Sequence, residues 1–489
     1  MTIASEPVNC LEGRKTAKGR VWGVVHDILL CAILCTAAAP GHAATPCLTG
    51  TAPYTQSVAD GARITLYTAP SVPKGDSCDQ IAVTATCQAG NLVGAGTARY
   101  PGCMMLEGFT GLNFNAATQS LDERMLSDTG AKYVRAFIDV IKVREAVWAS
   151  IVAGYKQPGI DPASWQTMKD TTANGTAKMI LNLKFDFRTN GTHPPLPGST
   201  RETLMFNAID HQFLDPIAGS LAIIVTGNEP FAETLNEDWL PKAAYGGIPI
   251  VVFYARMTEH INNYLILHKL RSKVKLFVGA FTRLQMPLMQ QQQAAVQLLD
   301  FADKAPYVDG IDIHLHVNAI EDIDTALNFA QSRTNKPFIV TEYTYVYGMQ
   351  AGLAEGLPLG EAFGQKWHLP PTMIELDFLR CNVFHVGPQC KKLPMMLPAE
   401  WYDFIATRSW IEDHFLLKAD AIFRRYRVMG ATFGTVQSAP GPEGLQPTGT
   451  PWYLGFVYSP SSIGYQLDGM PQPNFQYLDD FHQLTGIAN

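Results

Sequence analysis

From about residue 105 the chain repeats one pattern eight times: a short run of apolar and β-branched residues, then a longer stretch with helical periodicity. Such alternation builds a parallel sheet with helical crossovers. The strand candidates are 106–113, 132–138, 178–185, 221–226, 274–281, 308–314, 337–342 and 430–435, with helices expected at 121–127, 201–216, 244–269 and 288–303. The run Leu221-Ala222-Ile223-Ile224-Val225 is continuously apolar, as a strand buried on both faces requires. Eight units over about 330 residues is the count of a (β/α)8 TIM barrel, which folds as one unit at roughly 250 residues or more. A doubly wound open sheet is the alternative. It usually has fewer strands, and no Gly-x-Gly-x-x-Gly turn is present to anchor a nucleotide.

Upstream of the barrel the character changes twice. Arg14, Lys15, Lys18 and Arg20 form a basic region, followed by an apolar run over 28–39 and the small-residue site Gly41-His42-Ala43. This reads as an export signal over 1–43, cleaved after Ala43. A membrane anchor over 21–39 is the competing reading, but His26 and Asp27 interrupt it and leave too few clean apolar residues to span a bilayer. No stable anchor is therefore expected after cleavage. Of the nine cysteines, Cys10, Cys31 and Cys35 leave with the signal, and an even set remains: Cys47, Cys78, Cys87, Cys103, Cys381 and Cys390. An even set suits disulfides in a secreted or periplasmic protein.

Residues 44–104 are rich in Thr, Ala, Gly and Ser with short alternating runs, so a small disulfide-stapled β module is expected ahead of the barrel. Its four cysteines allow three connectivities; Cys47–Cys103 closing the module and Cys78–Cys87 closing a hairpin is preferred. The barrel domain, 105–489, carries an insertion over about 345–408 after the seventh strand, expected to be an ordered loop closed by Cys381 and Cys390, and a C-terminal extension.

The chemistry sits at strand ends. Asn228-Glu229-Pro230 follows the fourth strand directly, and Thr341-Glu342-Tyr343 ends the seventh. A partly desolvated carboxylate is costly unless it is paired. Two of them at the C-terminal ends of barrel strands would share the mouth where active sites of this fold lie. Paired carboxyls about 5 Å apart perform glycoside hydrolysis with retention, one protonating the leaving oxygen and the other attacking the anomeric carbon.

Glu within Asn-Glu-Pro on the fourth strand, with Glu on the seventh, resembles the clan A glycoside hydrolases, the 4/7 superfamily, most nearly its families 5 and 39. The resemblance spans roughly 105–440. It implies Glu229 as acid/base, Glu342 as nucleophile, Asn228 as a contact for the substrate 2-hydroxyl, and Arg135 as the cation keeping the nucleophile ionised. His314 fits the His-x-Tyr common at the sixth strand, whereas His316 stands where Tyr is usual. No Trp follows the eighth strand, so Phe433 or Trp452 would serve as sugar platform. The segment 44–104 is similar to a Cys-rich module of secreted bacterial proteins.

Other signals carry alternatives. Asp186 reads equally as a sugar contact or half of a surface ion pair, and Tyr343 is a candidate substrate contact beside the nucleophile. His314 and His316, two apart on a strand, have the spacing of a metal pair, yet no third ligand at suitable spacing accompanies them, so no metal or cofactor is expected. Charged residues are only 17% and the net charge is −7 with no basic block, against a nucleic-acid partner. The reading is a secreted, monomeric, retaining glycosidase of β-linked oligo- or polysaccharides; a non-catalytic or transglycosylating carbohydrate-binding barrel is the alternative.

Overall fold

The computed structural model describes residues 45–49, 56–68, 71–72, 77–98, 103–105, 108–114, 121–141, 169–384, 397–437 and 446–487. All eight strand candidates form, and they close into a single parallel barrel. In chain order its strands are β8 (Phe109–Asn113), β9 (Tyr133–Asp139), β10 (Lys178–Lys184), β11 (Leu221–Thr226), β12 (Lys275–Thr282), β13 (Gly310–His316), β14 (Phe338–Thr344) and β15 (Val428–Gly434). Each pairs with its sequence neighbour, and β15 closes on β8 through Gly430↔Phe109 to Gly434↔Asn113. The fold class expected from the alternation is the fold observed.

Alternation along each strand sorts side chains into two layers. On β13, Ile311, Ile313 and Leu315 join the large cluster between strands and outer helices. Asp312, His314 and His316 take the opposite face and are also buried. Toward the strand starts the interior is plugged by Phe109, Ile180, Ile223, Val225, Phe277 and Ile339. Buried polar interior side chains such as Arg135, Asn182, Asp312 and Thr341 begin at mid-strand and continue to the strand ends.

The cysteine-rich segment forms three small sheets: β1 (Cys47–Thr49) with β2 (Gln56–Val58), β3 (Arg63–Tyr67) with β5 (Ala82–Gln88) and β6 (Asn91–Val93), and β4 (Ser71–Val72) with β7 (Met104–Met105). Its disulfides are Cys47–Cys87 and Cys78–Cys103, not the pairing preferred from sequence. The reason is extension. Residues 82–88 are a strand, and at about 3.3 Å per residue it carries Cys87 too far from Cys78 for a bridge. Cys87 faces inward instead and meets Cys47 beside Val58. Cys381 is buried and disulfide-bonded, while Cys390 lies outside the described residues, as does the whole expected signal segment 1–43. Among the described residues no helix is long and apolar enough to cross a membrane.

The insertion after the seventh strand is helical where an ordered loop was expected, with helices Val346–Ala354, Glu361–Lys366, Glu375–Phe384 and Pro398–Ala406. It has its own core around Met349, Leu379, Trp401, Phe404 and Trp410. A buried Arg408–Glu375 ion pair, with Trp410 Nε1 donating to Glu375 Oε2 at 2.5 Å, fastens it. Tyr453 and Leu454 of the C-terminal extension join the same core, which fixes the neighbouring Trp452 above the barrel mouth.

Candidate active site

Glu229 is delivered by a turn that only glycine suits. β11 ends at Thr226, and Gly227 follows at φ +119°. A Cβ there would lie 1.7 Å from the Gly279 carbonyl oxygen and 2.9 Å from the Tyr254 ring. Gly227→Ala is therefore expected to cost about 3 kcal/mol or more, combining a disfavoured backbone with a backbone clash. A lowered denaturant midpoint at unchanged slope would show it.

Glu342 reaches the mouth by a register slip. Asp312 pairs with Ile339 but His314 pairs with Glu342, so Val340 and Thr341 together oppose Ile313 alone. This bulge re-aims the strand end, and Thr341 and Glu342 both engage interior partners. Tyr343 then faces the opposite way. Its ring packs on Phe415, Phe423 and Phe433 in the outer layer, and burial pushes its phenol well up. Tyr343 was a candidate substrate contact; it is among the residues lining the cleft, while its ring is held in the wall packing.

Arg135, on β9 and fully buried, organises the mouth. Its Nε donates to Asn182 Oδ1 at 3.0 Å, Nη1 to Asn113 Oδ1 at 3.0 Å and to Glu342 Oε1, and Nη2 to Asn228 Oδ1 at 2.5 Å. Asn182 in turn donates to Asp312 Oδ2, which also accepts from Thr341 Oγ1 at 2.6 Å. Because the Thr341 proton goes to Asp312, its oxygen accepts from His314 Nε2 at 3.0 Å. Arg135 Nη2 also approaches that nitrogen, at 3.4 Å, farther than the Thr341 oxygen.

His314 Nδ1 lies 3.2 Å from Glu229 Oε1 and 3.8 Å from Glu342 Oε2. His316 Nε2 lies 3.5 Å and 3.6 Å from the same two oxygens. The two carboxylates thus share both imidazoles. Burial pushes both carboxyls up but is outweighed. His314 and His316 hold Glu229 well below the usual carboxylate range, and His314, Arg135 and His316 lower Glu342. Burial opposes charge on His314, yet Glu342 and Glu229 together raise it.

The sequence-derived statement that the two imidazoles lack a third ligand does not hold. Glu229, His314 and His316 present ligand atoms within 4.8 Å of one another. The third group comes from the turn after β11, where spacing along the chain cannot reveal it.

Around this centre lies an open cleft of about 430 Å³, lined by Asn113, Phe137, Lys184, His316, Trp452 and Phe456 among others. Trp452 is 46% exposed and meets His316 edge-on at 4.8 Å, available as an aromatic platform. Phe433 is buried in the outer layer. Asp186 lies off the cleft lining; it accepts from Thr189 N at 2.9 Å and sits 3.7 Å from Lys184 Nζ, which makes it a loop-fastening residue. A second cavity of about 440 Å³ lies beside the strand starts 108–110 and 428–431 and holds no carboxylate pair.

Glu233 was missed from sequence. It stands four residues after Glu229, fully buried, accepting from Asn228 Nδ2 at 2.8 Å and Phe185 N at 3.2 Å, with Lys184 Nζ 3.8 Å away. It fixes the Asn228 amide so that Oδ1 faces Arg135. Burial pushes its carboxyl from 4.5 to about 7, despite Lys184 and Asn228. With the folded value above the unfolded one, its stabilising contribution is complete below pH 4.5 and is lost as pH rises through 7. Urea unfolding is expected to show about 3 kcal/mol of this loss between pH 4.5 and 8 in the wild type and a flattened slope in Glu233→Gln.

No family model and no curated protein matches the chain. Solved structures match at low similarity. One is an endo-β-1,6-glucanase, at 10% identity and TM-score 0.40, covering 78% of this chain and 76% of that one. Another is a β-1,3-glucanase and allergen of Cryptomeria japonica pollen, at 11% and 0.35, covering 75% and 99%. A third is an oligosaccharide-binding protein from Cryptococcus neoformans, at 12% and 0.34, covering 77% and 94%. Likenesses of this size carry nothing about substrate or mechanism.

Proposed function

We propose that the protein is an exported retaining glycosidase of β-linked oligo- or polysaccharides. The observation that carries this is a Glu342 anchored by buried Arg135 and facing Glu229 across shared imidazoles, with His314 Nδ1 at 3.2 Å and 3.8 Å from the two carboxylates. One nitrogen bridging both favours the short spacing of retaining pairs, about 5–5.5 Å, over the roughly 6.5–9.5 Å of inverting ones. Disulfides in the N-terminal sheets suit an oxidising compartment.

Glu342 attacks the anomeric carbon, the bond to the leaving oxygen breaks, and Glu229 delivers a proton to that oxygen. The ester formed on Glu342 has lost its charge. Glu229 then takes a proton from water as that water displaces Glu342 and restores the free carboxylate. The imidazoles keep free Glu229 ionised, so the proton it delivers belongs to the Glu229–His314 pair rather than to either group alone. Asn228 offers its second Nδ2 hydrogen to a substrate hydroxyl, and Trp452 offers a stacking face.

A panel of 2-deoxy-2-fluoro aryl β-glycosides tests the reading. One member is expected to label Glu342, identified by peptide mass, with the released sugar retaining configuration. Inversion in the first product would overturn the double displacement. Glycan binding without label or turnover would make the barrel a binding protein.

A further inference from the structure

We infer that Glu229 Oε1, His314 Nδ1 and His316 Nε2, with Glu342 Oε2 as a fourth donor, form a binding site for a zinc-class transition metal ion, and that an ion there blocks the cleft chemistry. The binding half stands on geometry alone; the blocking half rests on the proposed hydrolase reading.

Glu229 Oε1 lies 3.2 Å and 3.5 Å from the two imidazole nitrogens, and Glu342 Oε2 lies 3.8 Å and 3.6 Å from the same pair. A tetrahedral ion with bonds of about 2.0–2.1 Å requires donor–donor edges of about 3.3 Å. The two edges from Glu229 to the imidazoles are already near that size. All three donors lie within 4.8 Å of one another, so the imidazoles close on an ion by side-chain rotation, and Glu342 closes by a few tenths of an ångström. Two imidazoles with carboxylate oxygens select zinc-like ions over Mg²⁺ or Ca²⁺, which prefer all-oxygen shells.

The outer contacts orient a ligand. Thr341 gives its proton to Asp312 and accepts from His314 Nε2, so a neutral His314 turns its Nδ1 lone pair toward Glu229. This is the carboxylate-backed arrangement that holds metal-binding histidines, here relayed through a hydroxyl. Trp452 packs edge-on against His316 and limits that ring. The ion takes the place of the proton held by the Glu229–His314 pair. With that proton gone, Glu229, Glu342 and Arg135 leave a net charge of one minus and lone pairs face one another around a common point. A dication relieves that opposition. Both carboxylates keep some exposure to the cleft, 25% and 17% at their side chains, which gives the ion a way in. The Nδ1 atom of His316 is buried without a hydrogen-bond partner, so this second ring lacks outer support, and affinity in the micromolar rather than nanomolar range is expected.

The test is calorimetric titration of ZnCl₂ into the metal-stripped full chain, with MgCl₂ as the comparison. One saturating Zn²⁺ per chain is expected and no Mg²⁺. His316→Phe should weaken Zn²⁺ about 100-fold, and Thr341→Val, which keeps every ligand but frees His314, about 10-fold. Glu229→Gln gives the ligand test a second variant should His316→Phe fail to fold, judged by thermal unfolding. Absence of a saturating Zn²⁺, or wild-type affinity in a folded ligand variant, overturns the site. In an aryl glycoside assay, Zn²⁺ should inhibit with a constant matching its Kd, and chelator should restore turnover. Binding without inhibition of an active enzyme overturns the blocking half. Fluoroglycoside labelling of metal-free protein reads the hydrolase proposal separately, so either can fail alone.

Discussion

Glu342→Gly is expected to reduce turnover of an aryl β-glycoside by on the order of 10⁴-fold or more, the scale of removing a nucleophile that acts within a catalytic unit. Azide should restore much of it and form a glycosyl azide of inverted configuration, because a small anion enters the space the carboxylate left and attacks once instead of twice. The fold should survive. Asn113, Asn182 and Asn228 still accept from Arg135, and the barrel plug lies below the site. Glu229→Ala should behave differently, losing little on substrates with acidic leaving groups and much on those needing a proton. Residual activity of Glu342→Gly within tenfold of wild type, without azide, would remove the nucleophile assignment. A retained azide product would mean that a glycosyl-enzyme still forms on another residue, and would likewise remove the nucleophile assignment.

How much of this was legible in the sequence depends on where each residue sits. Strands buried on both faces announce themselves as apolar runs, and eight of them leave few ways to close, so the barrel could be counted out. Glu229, Asn228 and Glu342 could be singled out because strand ends are where this fold exposes polar groups. Asn113, Asn182, Asp312 and Thr341 could not, since their meaning arises across strands: an Asp inside an apolar run looks like an interruption until Thr341 and Asn182 are seen to saturate it. Which way the Tyr343 ring turns was not legible, because the bulge that brings both Thr341 and Glu342 inward breaks the simple alternation of the strand. Glu233 had a signal too, four residues beyond Glu229 at the start of a helix. The disulfide pairing had none, since connectivity depends on which way a strand turns its cysteine. The insertion read as a loop because its Gly and Pro residues separate four short helices that share one core.

Arg135→Lys is the substitution expected to damage the molecule most broadly, in stability and rate together. Arg135 is fully buried and spreads its donors over Asn113, Asn182, Asn228 and Glu342, a fork that one ammonium with three hydrogens on a flexible stem cannot reproduce. Breaking a buried pair leaves partners unsatisfied and costs about 3–5 kcal/mol, which urea unfolding would read as a lowered midpoint. Turnover should fall by roughly 10²–10³-fold, as when one charge-stabilising donor is lost, because Glu342 is no longer held low and in register. Arg135→Met separates the two effects. Alone it leaves Glu342 buried beside no guanidinium; combined with Glu342→Gln it removes both charges. The double variant is expected to recover a large part of the lost stability and none of the lost activity. Additive losses in stability would mean that Arg135 works mainly through the three asparagines, and that its ion pair with Glu342 contributes to ionisation rather than to folding.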